Sequence, residues 1–202
     1  KVEAVWPARK PTSVAVQFRY AFMTDADGFH VIDITFPDRP KIISKASISL
    51  PDARSVYVAR TYAYVGGGKE GVIIIDVEKP ESPFIYSTFN GDGTITDSHD
   101  VKVATTNASL IGYVADGENG LVVLQMTDPE RVPGFYGFSP PVKPKIIARK
   151  KTEGPAVALS KPLDRDRAVD ETGHQVSVLG RIGSRPFTLE EMRKMFLTKE
   201  GK

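Results

Sequence analysis

The feature that most constrains this chain is a phrase written more than once. "ADGFHVIDITFPDRPKIISK" runs from Ala26 and "KEGVIIIDVEKPESPFIYST" from Lys69. Each sets a Gly, two residues, a β-branched pair, an Asp, a branched apolar residue and Pro-x-x-Pro in the same order. A third version follows in "ENGLVVLQMTDPERVP". The aligned glycines are Gly28, Gly71 and Gly120, at spacings of 43 and 49 residues, and the Asp position reads Asp33, Asp76 and then Gln125. Periods in the forties belong to repeat architectures, propeller blades among them.

Each repeat reads as four short strands. Alternating valines, Val14/Val16, Val56/Val58 and Val101/Val103, give the period of a half-buried first strand. The second covers Tyr20–Met23, Tyr62–Val65 and Ile111–Val114. Turns rich in Gly and Asp follow, with residues that tolerate the positive φ of tight hairpins. The apolar runs "HVIDI", "VIIIDV" and "LVVLQM" suit a third strand covered on both faces. Proline then breaks the ladder, and "KIISKASI", "FIYSTF" and "KIIARKK" supply the fourth strand. The expected fold is all-β, with propeller-type blades of four antiparallel strands. Three blades are recognisable over residues 1–152. Closed propellers have four to eight, so the set is incomplete or part of a larger propeller: either a longer polypeptide holds the other blades, or copies of the chain complete one another. A faint fourth phrase, "DETGHQVSVLGRIGSRP", surrounds Gly173. The chain begins at Lys1 without a leader and is expected to be a processed form or part of a longer polypeptide.

The phrase Y-A-Y-V…G-x-x-I-I-D-V…P…P resembles the LVIVD-repeat family, whose naming motif stands here as Val72-Ile73-Ile74-Ile75-Asp76. The resemblance covers about residues 11–152. It implies a propeller-like protein of the bacterial and archaeal kind, commonly exported or surface-associated, so an extracytoplasmic location, periplasmic or cell-surface, is expected. The motif Asp is expected to cap the turn before the prolines.

Residues 153–202 change character. "KPLDRDRAVDET" is densely charged with alternating signs and reads as a solvated linker or degenerate blade. "TLEEMRKMF" predicts a short C-terminal helix: Thr188 and Glu191 form a capping box, and Leu189, Met192, Met195 and Phe196 form an apolar face able to dock a partner.

Composition narrows the chemistry. With 27 basic and 25 acidic residues the net charge is +2, without the basic field of a nucleic-acid binder. No apolar run approaches the length of a membrane span. There is no Cys, hence no disulfide, no thiolate zinc site and no covalently attached haem. "GGGKEG" lacks the G-K-[ST] of a phosphate loop, and no G-x-S-x-G is present.

First strands of propellers line the channel, so Thr12, Arg54 and His99 are expected at equivalent places on one mouth, with Asp97 and Asp100 flanking His99 as parts of a proton relay or weak metal site. His30, on a third strand, reads as structural. Turn carboxylates pair as Asp25 with Asp27 and Asp116 with Glu118. Asn90 and Asp92 in "NGDGTITD" have the oxygen-rich look of a calcium loop, without the EF-hand pattern. The basic run Lys143, Lys145, Arg149, Lys150 and Lys151 reads as a solvated edge that blocks strand pairing.

The function expected from these features is a non-catalytic, exported propeller module, a scaffold whose partners are other subunits or remaining blades. One alternative is an accessory part of a multihaem electron-transfer assembly, in which His99 or His174 ligates a partner's haem. A second is a calcium-dependent propeller hydrolase, for which the first-strand positions are poor in carboxylates.

Overall fold

A computed structural model describes residue 2 and residues 4–105, 110–127, 139–160, 181–182 and 185–186. The chain divides into two compact units: residues 1–104 with 109–162, and residues 105–108 with 163–202. Of the second unit the structure describes a two-stranded hairpin, β14 (Arg181–Ile182) with β15 (Arg185–Pro186). The expected helix carrying Leu189, Met192, Met195 and Phe196 lies outside the described residues.

The first unit holds three sheets, one for each repeat. The first contains β1 (Ser13–Gln17), β2 (Tyr20–Asp25), β3 (Gly28–Asp33), β4 (Lys41–Ile42) and β5 (Ile48–Ser49). The second contains β6 (Ser55–Ala59), β7 (Tyr62–Gly66), β8 (Val72–Asp76) and β9 (Phe84–Phe89). The third contains β10 (Asp100–Thr105), β11 (Leu110–Ala115), β12 (Leu121–Gln125) and β13 (Lys145–Lys150). Each is an antiparallel meander, as expected of propeller-type blades. One detail differs. "KIISKASI" is not a single strand, because a 3₁₀ turn at Ser44–Ala46 separates β4 from β5, and both pieces pair with β3. The other two sheets have only a bulge at the matching place, between Ile74 and Ile75 and between Val123 and Leu124. The first repeat thus enlarges an irregularity that all three share.

Local chemistry explains why the phrase repeats. Asp33 Oδ1 accepts the amide of Thr35 at 2.8 Å and Asp76 Oδ1 accepts that of Glu78 at 2.9 Å. The motif Asp therefore caps the turn that the prolines complete. The aligned glycines sit where the fourth strand crosses close. Gly71 has φ +76°, and a Cβ there would lie 2.4 Å from the Phe89 carbonyl oxygen; Gly28 and Gly120 meet the Ile48 and Lys150 carbonyls in the same way.

Strand alternation gives every sheet two apolar faces. On the back face of the second sheet, Val56, Val65, Ile73 and Ile75 pack against Tyr20, Phe22, Phe29 and Val31 of the first. On its front face, Tyr57, Tyr62, Tyr64, Val72 and Ile74 pack against Val101, Val103, Val114, Val122 and Leu124 of the third. Each joint thus sets the front of one repeat on the back of the next, and the valine pair always belongs to the back. The back of the first sheet has no such neighbour among the described residues. Trp6 and Ala8 pack over Ala21, Met23 and Ile32 there, while Val14 and Val16 are 62% and 64% exposed.

Past β13 the chain begins another such step. Ala156 makes the two-way backbone bridge with Gly117 that Ser98, in the lead-in to β10, makes with Gly68; the N–O distances are 3.0 and 2.9 Å in both.

Gly71→Ala is expected to cost upwards of about 1–2 kcal/mol, from left-handed backbone strain and the clash with Phe89, while Gly154→Ala, with nothing within 4 Å of the added Cβ, stays near wild type in urea unfolding. Tyr64 is fully buried and its hydroxyl has no hydrogen-bond partner among the described residues. Tyr64→Phe should therefore be neutral or stabilising by about 1 kcal/mol in the same experiment.

Candidate functional site

Thr12, Arg54 and His99 each precede a first strand. Their amides donate to the carbonyls of Thr24 at 2.9 Å, Gly66 at 2.9 Å and Ala115 at 2.8 Å, which close the second strand of the same repeat. The three residues therefore hold one register position in three repeats, at one end of the first strands. Their side chains reach across the joints. Thr12 Oγ1 lies 2.7 Å from the Ala53 carbonyl oxygen of the next repeat and donates to it.

Arg54 is the centre of a four-residue cluster. Its Nε and Nη2 donate to Asp52 Oδ2 at 2.9 and 2.8 Å, and Nη1 donates to Asp97 Oδ1 at 2.6 Å. His99 Nε2 lies 3.1 Å from Arg54 Nη1 and 3.0 Å from Asp97 Oδ2. A ring nitrogen either accepts or donates, so Nε2 accepts a hydrogen bond from Arg54 or donates one to Asp97, according to tautomer. The Asp52 hydrogen bond raises the Arg54 guanidinium above its ordinary value against its partial burial, with Asp97 adding to the effect. The Arg54 hydrogen bond in turn holds the Asp97 carboxyl below the ordinary range, against some desolvation and with help from His99. Gly68 and Gly117 pass close by: a Cβ on either would fall 2.3 Å from Asp52 Oδ2 or 2.2 Å from Asp97 Oδ2.

The other sequence candidates lie apart from this cluster. Asp100 faces away from His99; it takes the Lys102 ammonium at 2.5 Å on one oxygen and the Leu159 amide at 2.9 Å on the other. Asn90 Oδ1 accepts the Gly93 amide at 3.1 Å, closing a turn in which Asp92 is exposed. Among the described residues no group of three His, Cys, Asp or Glu side chains is placed to hold a metal ion. Nor is any helix of the described residues long and apolar enough to cross a membrane. His30 is engaged at both ring nitrogens, by Ser47 Oγ at 3.0 Å and Asp25 Oδ1 at 2.9 Å. Lys143, Lys145, Arg149, Lys150 and Lys151 are all exposed, on and beside β13.

Three residues of structural weight escaped the sequence reading. Asp52 is one, although Asp-x-Arg54 and Asp-x-His99 share a spacing that pairs it with Asp97. The others are Asp25 and Asp116, grouped above with turn carboxylates. Both are buried and occupy the same column. Asp116 Oδ1 accepts the amides of Thr96 and Asp97 at 3.1 and 2.7 Å; Asp25 Oδ2 accepts that of Arg9 at 3.3 Å. Each pins the lead-in of its own repeat. Burial alone would raise the Asp25 carboxyl, but the Asp27 amide, His30 and the Arg9 amide together bring it below the ordinary range.

Residues 8–45, 51–90 and 112–129 match the family model described as the LVIVD repeat. No curated protein matches the chain, and no solved structure does.

Because the Asp97 carboxyl is held low in the folded state, its contribution is present above the ordinary carboxylate pKa and lost as pH falls through the folded value. Asp97→Asn should therefore lower stability at neutral pH by no more than about 1 kcal/mol, given its exposure. Denaturation midpoints of variant and wild type should converge below about pH 4.

Proposed function

The chain carries LVIVD repeats in three of its segments and is a propeller-like repeat module; we propose that it works without catalysis, as an extracytoplasmic scaffold that holds protein partners on its exposed sheet face. One observation carries this reading. Val14 and Val16 occupy the places that Val56/Val58 and Val101/Val103 fill at the two joints, yet both are largely exposed, and Phe18 beside them is 93% exposed. Contiguous apolar surface of this kind marks protein contact sites.

The mouth supports catalysis less well. The donors of Arg54 are directed at Asp52 and Asp97, and Nε2 of His99 lies between Asp97 and Arg54. Axial ligation of a partner's haem by His99 Nε2 would have to break those contacts first. Calcium at Asn90 and Asp92 would compete with the turn that Asn90 closes.

A photo-cross-linking side chain in place of Val16 tests the scaffold. In the protein's native setting it should yield one discrete protein adduct, the same group in place of exposed Lys69 should not, and Arg54→Ala with His99→Ala should leave the adduct unchanged. Free chain at both positions would remove the reading.

A further inference from the structure

Resting on the scaffold reading, we propose that the partner of the exposed first-sheet face is a second copy of this chain, docked head to tail through the front face of a repeat. The face itself states what fits it. At both joints within the chain, a back face bearing a valine pair receives a front face bearing aromatic and branched residues. Tyr20, Phe22, Phe29 and Val31 form the first front; Tyr62, Tyr64, Val72 and Ile74 form the second. The same columns in the third sheet hold Ile111, Tyr113, Leu121 and Val123, which are only partly buried. Among the described residues the first sheet thus has an unmatched back, and the front of the third has no matching sheet over its partly buried residues.

The lead-in to the first sheet is already in the form used at a joint. Ala8 stands in the column of Leu50 and Ile95, both buried between repeats. The Arg9 amide bonds to Asp25 as the Thr96 amide bonds to Asp116. Phe18, 93% exposed, follows at the β1–β2 turn with φ +53°, where the second sheet places Arg60 at φ +58°.

Numbers favour a second copy. Closed propellers have four to eight blades. The described residues form three blade-like sheets, and a further step begins at Ala156. Two copies bring at least six. Joined head to tail, they form two identical contacts related by a twofold axis, which closes the ring and leaves no apolar face to propagate a fibre.

The test is the solution mass of the purified chain by light scattering, alongside Val14→Asp/Val16→Asp and the milder Val14→Thr/Val16→Thr. The expected mass is twice the 22.1 kDa of the chain. The Asp pair should give 22.1 kDa, and the Thr pair should raise the dissociation constant by about tenfold or more; circular dichroism melts confirm that both stay folded. If the Asp pair does not fold, the Thr pair decides. A wild type that is monomeric at every concentration overturns the proposal, as does a dimer indifferent to both pairs. The Val16 cross-link separates the two readings. An adduct of any mass other than a second copy overturns this proposal and leaves the scaffold standing, whereas monomer without adduct removes both. A native polypeptide whose own further repeats cover Val14 also overturns it.

Discussion

A four-stranded sheet with apolar side chains on both faces cannot be stable alone in water, and the rest of this structure depends on that constraint. Burying a Val, Ile or Phe side chain is worth about 1.5–3 kcal/mol. The second sheet has two rows of them, Val56, Val65, Ile73 and Ile75 on one side and Tyr64, Val72 and Ile74 on the other. Neither row satisfies the other, because the sheet lies between them. Each repeat must borrow a neighbour's face, so the unit of stability is the joint rather than the sheet. The repeat sequence follows. Valines go to the back, aromatics to the front, Gly where the fourth strand crosses, and Asp where the chain leaves the third strand.

The polar residues around Arg54 obey the same constraint. Arg54 belongs to the second repeat, while Asp97 and His99 belong to the lead-in of the third. Gly68 and Ser98 exchange backbone hydrogen bonds across the same boundary, and Asp116 holds that lead-in from behind. A cluster that looks like a site on one face of the molecule is therefore also a latch on a joint. Surface ion pairs of this exposure contribute little stability each. Their greater effect is geometric: two carboxylates, from the second repeat and from the lead-in of the third, fix the guanidinium across the joint.

Much of the fold was legible because its determinants are local and repeated. The strands of the second and third repeats, the Gly column and the capping Asp could be read from three aligned phrases, since each column shows the same requirement three times. The break in "KIISKASI" could not, because it occurs in one repeat only and depends on how Ile43 and Ala46 turn inward. The site was legible in part. The common register of Thr12, Arg54 and His99 follows from their place before the valine pairs. Their partners do not, since Arg54 meets Asp97 only once two sheets are stacked. Asp25 and Asp116 were legible as turn residues, and they do hold their turns. Their burial and their bonds to the lead-ins were not legible, because burial is a property of the stack.

His30 shows how the first sheet differs from the two that follow it. In the column where the second and third sheets place Ile73 and Val122 on the back face, the first sheet places this histidine. Its ring is tied to Ser47 and to the buried Asp25, so the polar group is satisfied without a neighbouring repeat. Trp6 covers the apolar residues beside it. Toward the first strand the pattern reverses, and Val14 and Val16 keep the residue type of a buried joint while lying open. This face is polar and self-satisfied at its outer part, and apolar and open along its inner strand. A joint internal to one stack has no use for the polar part, as the second and third sheets demonstrate.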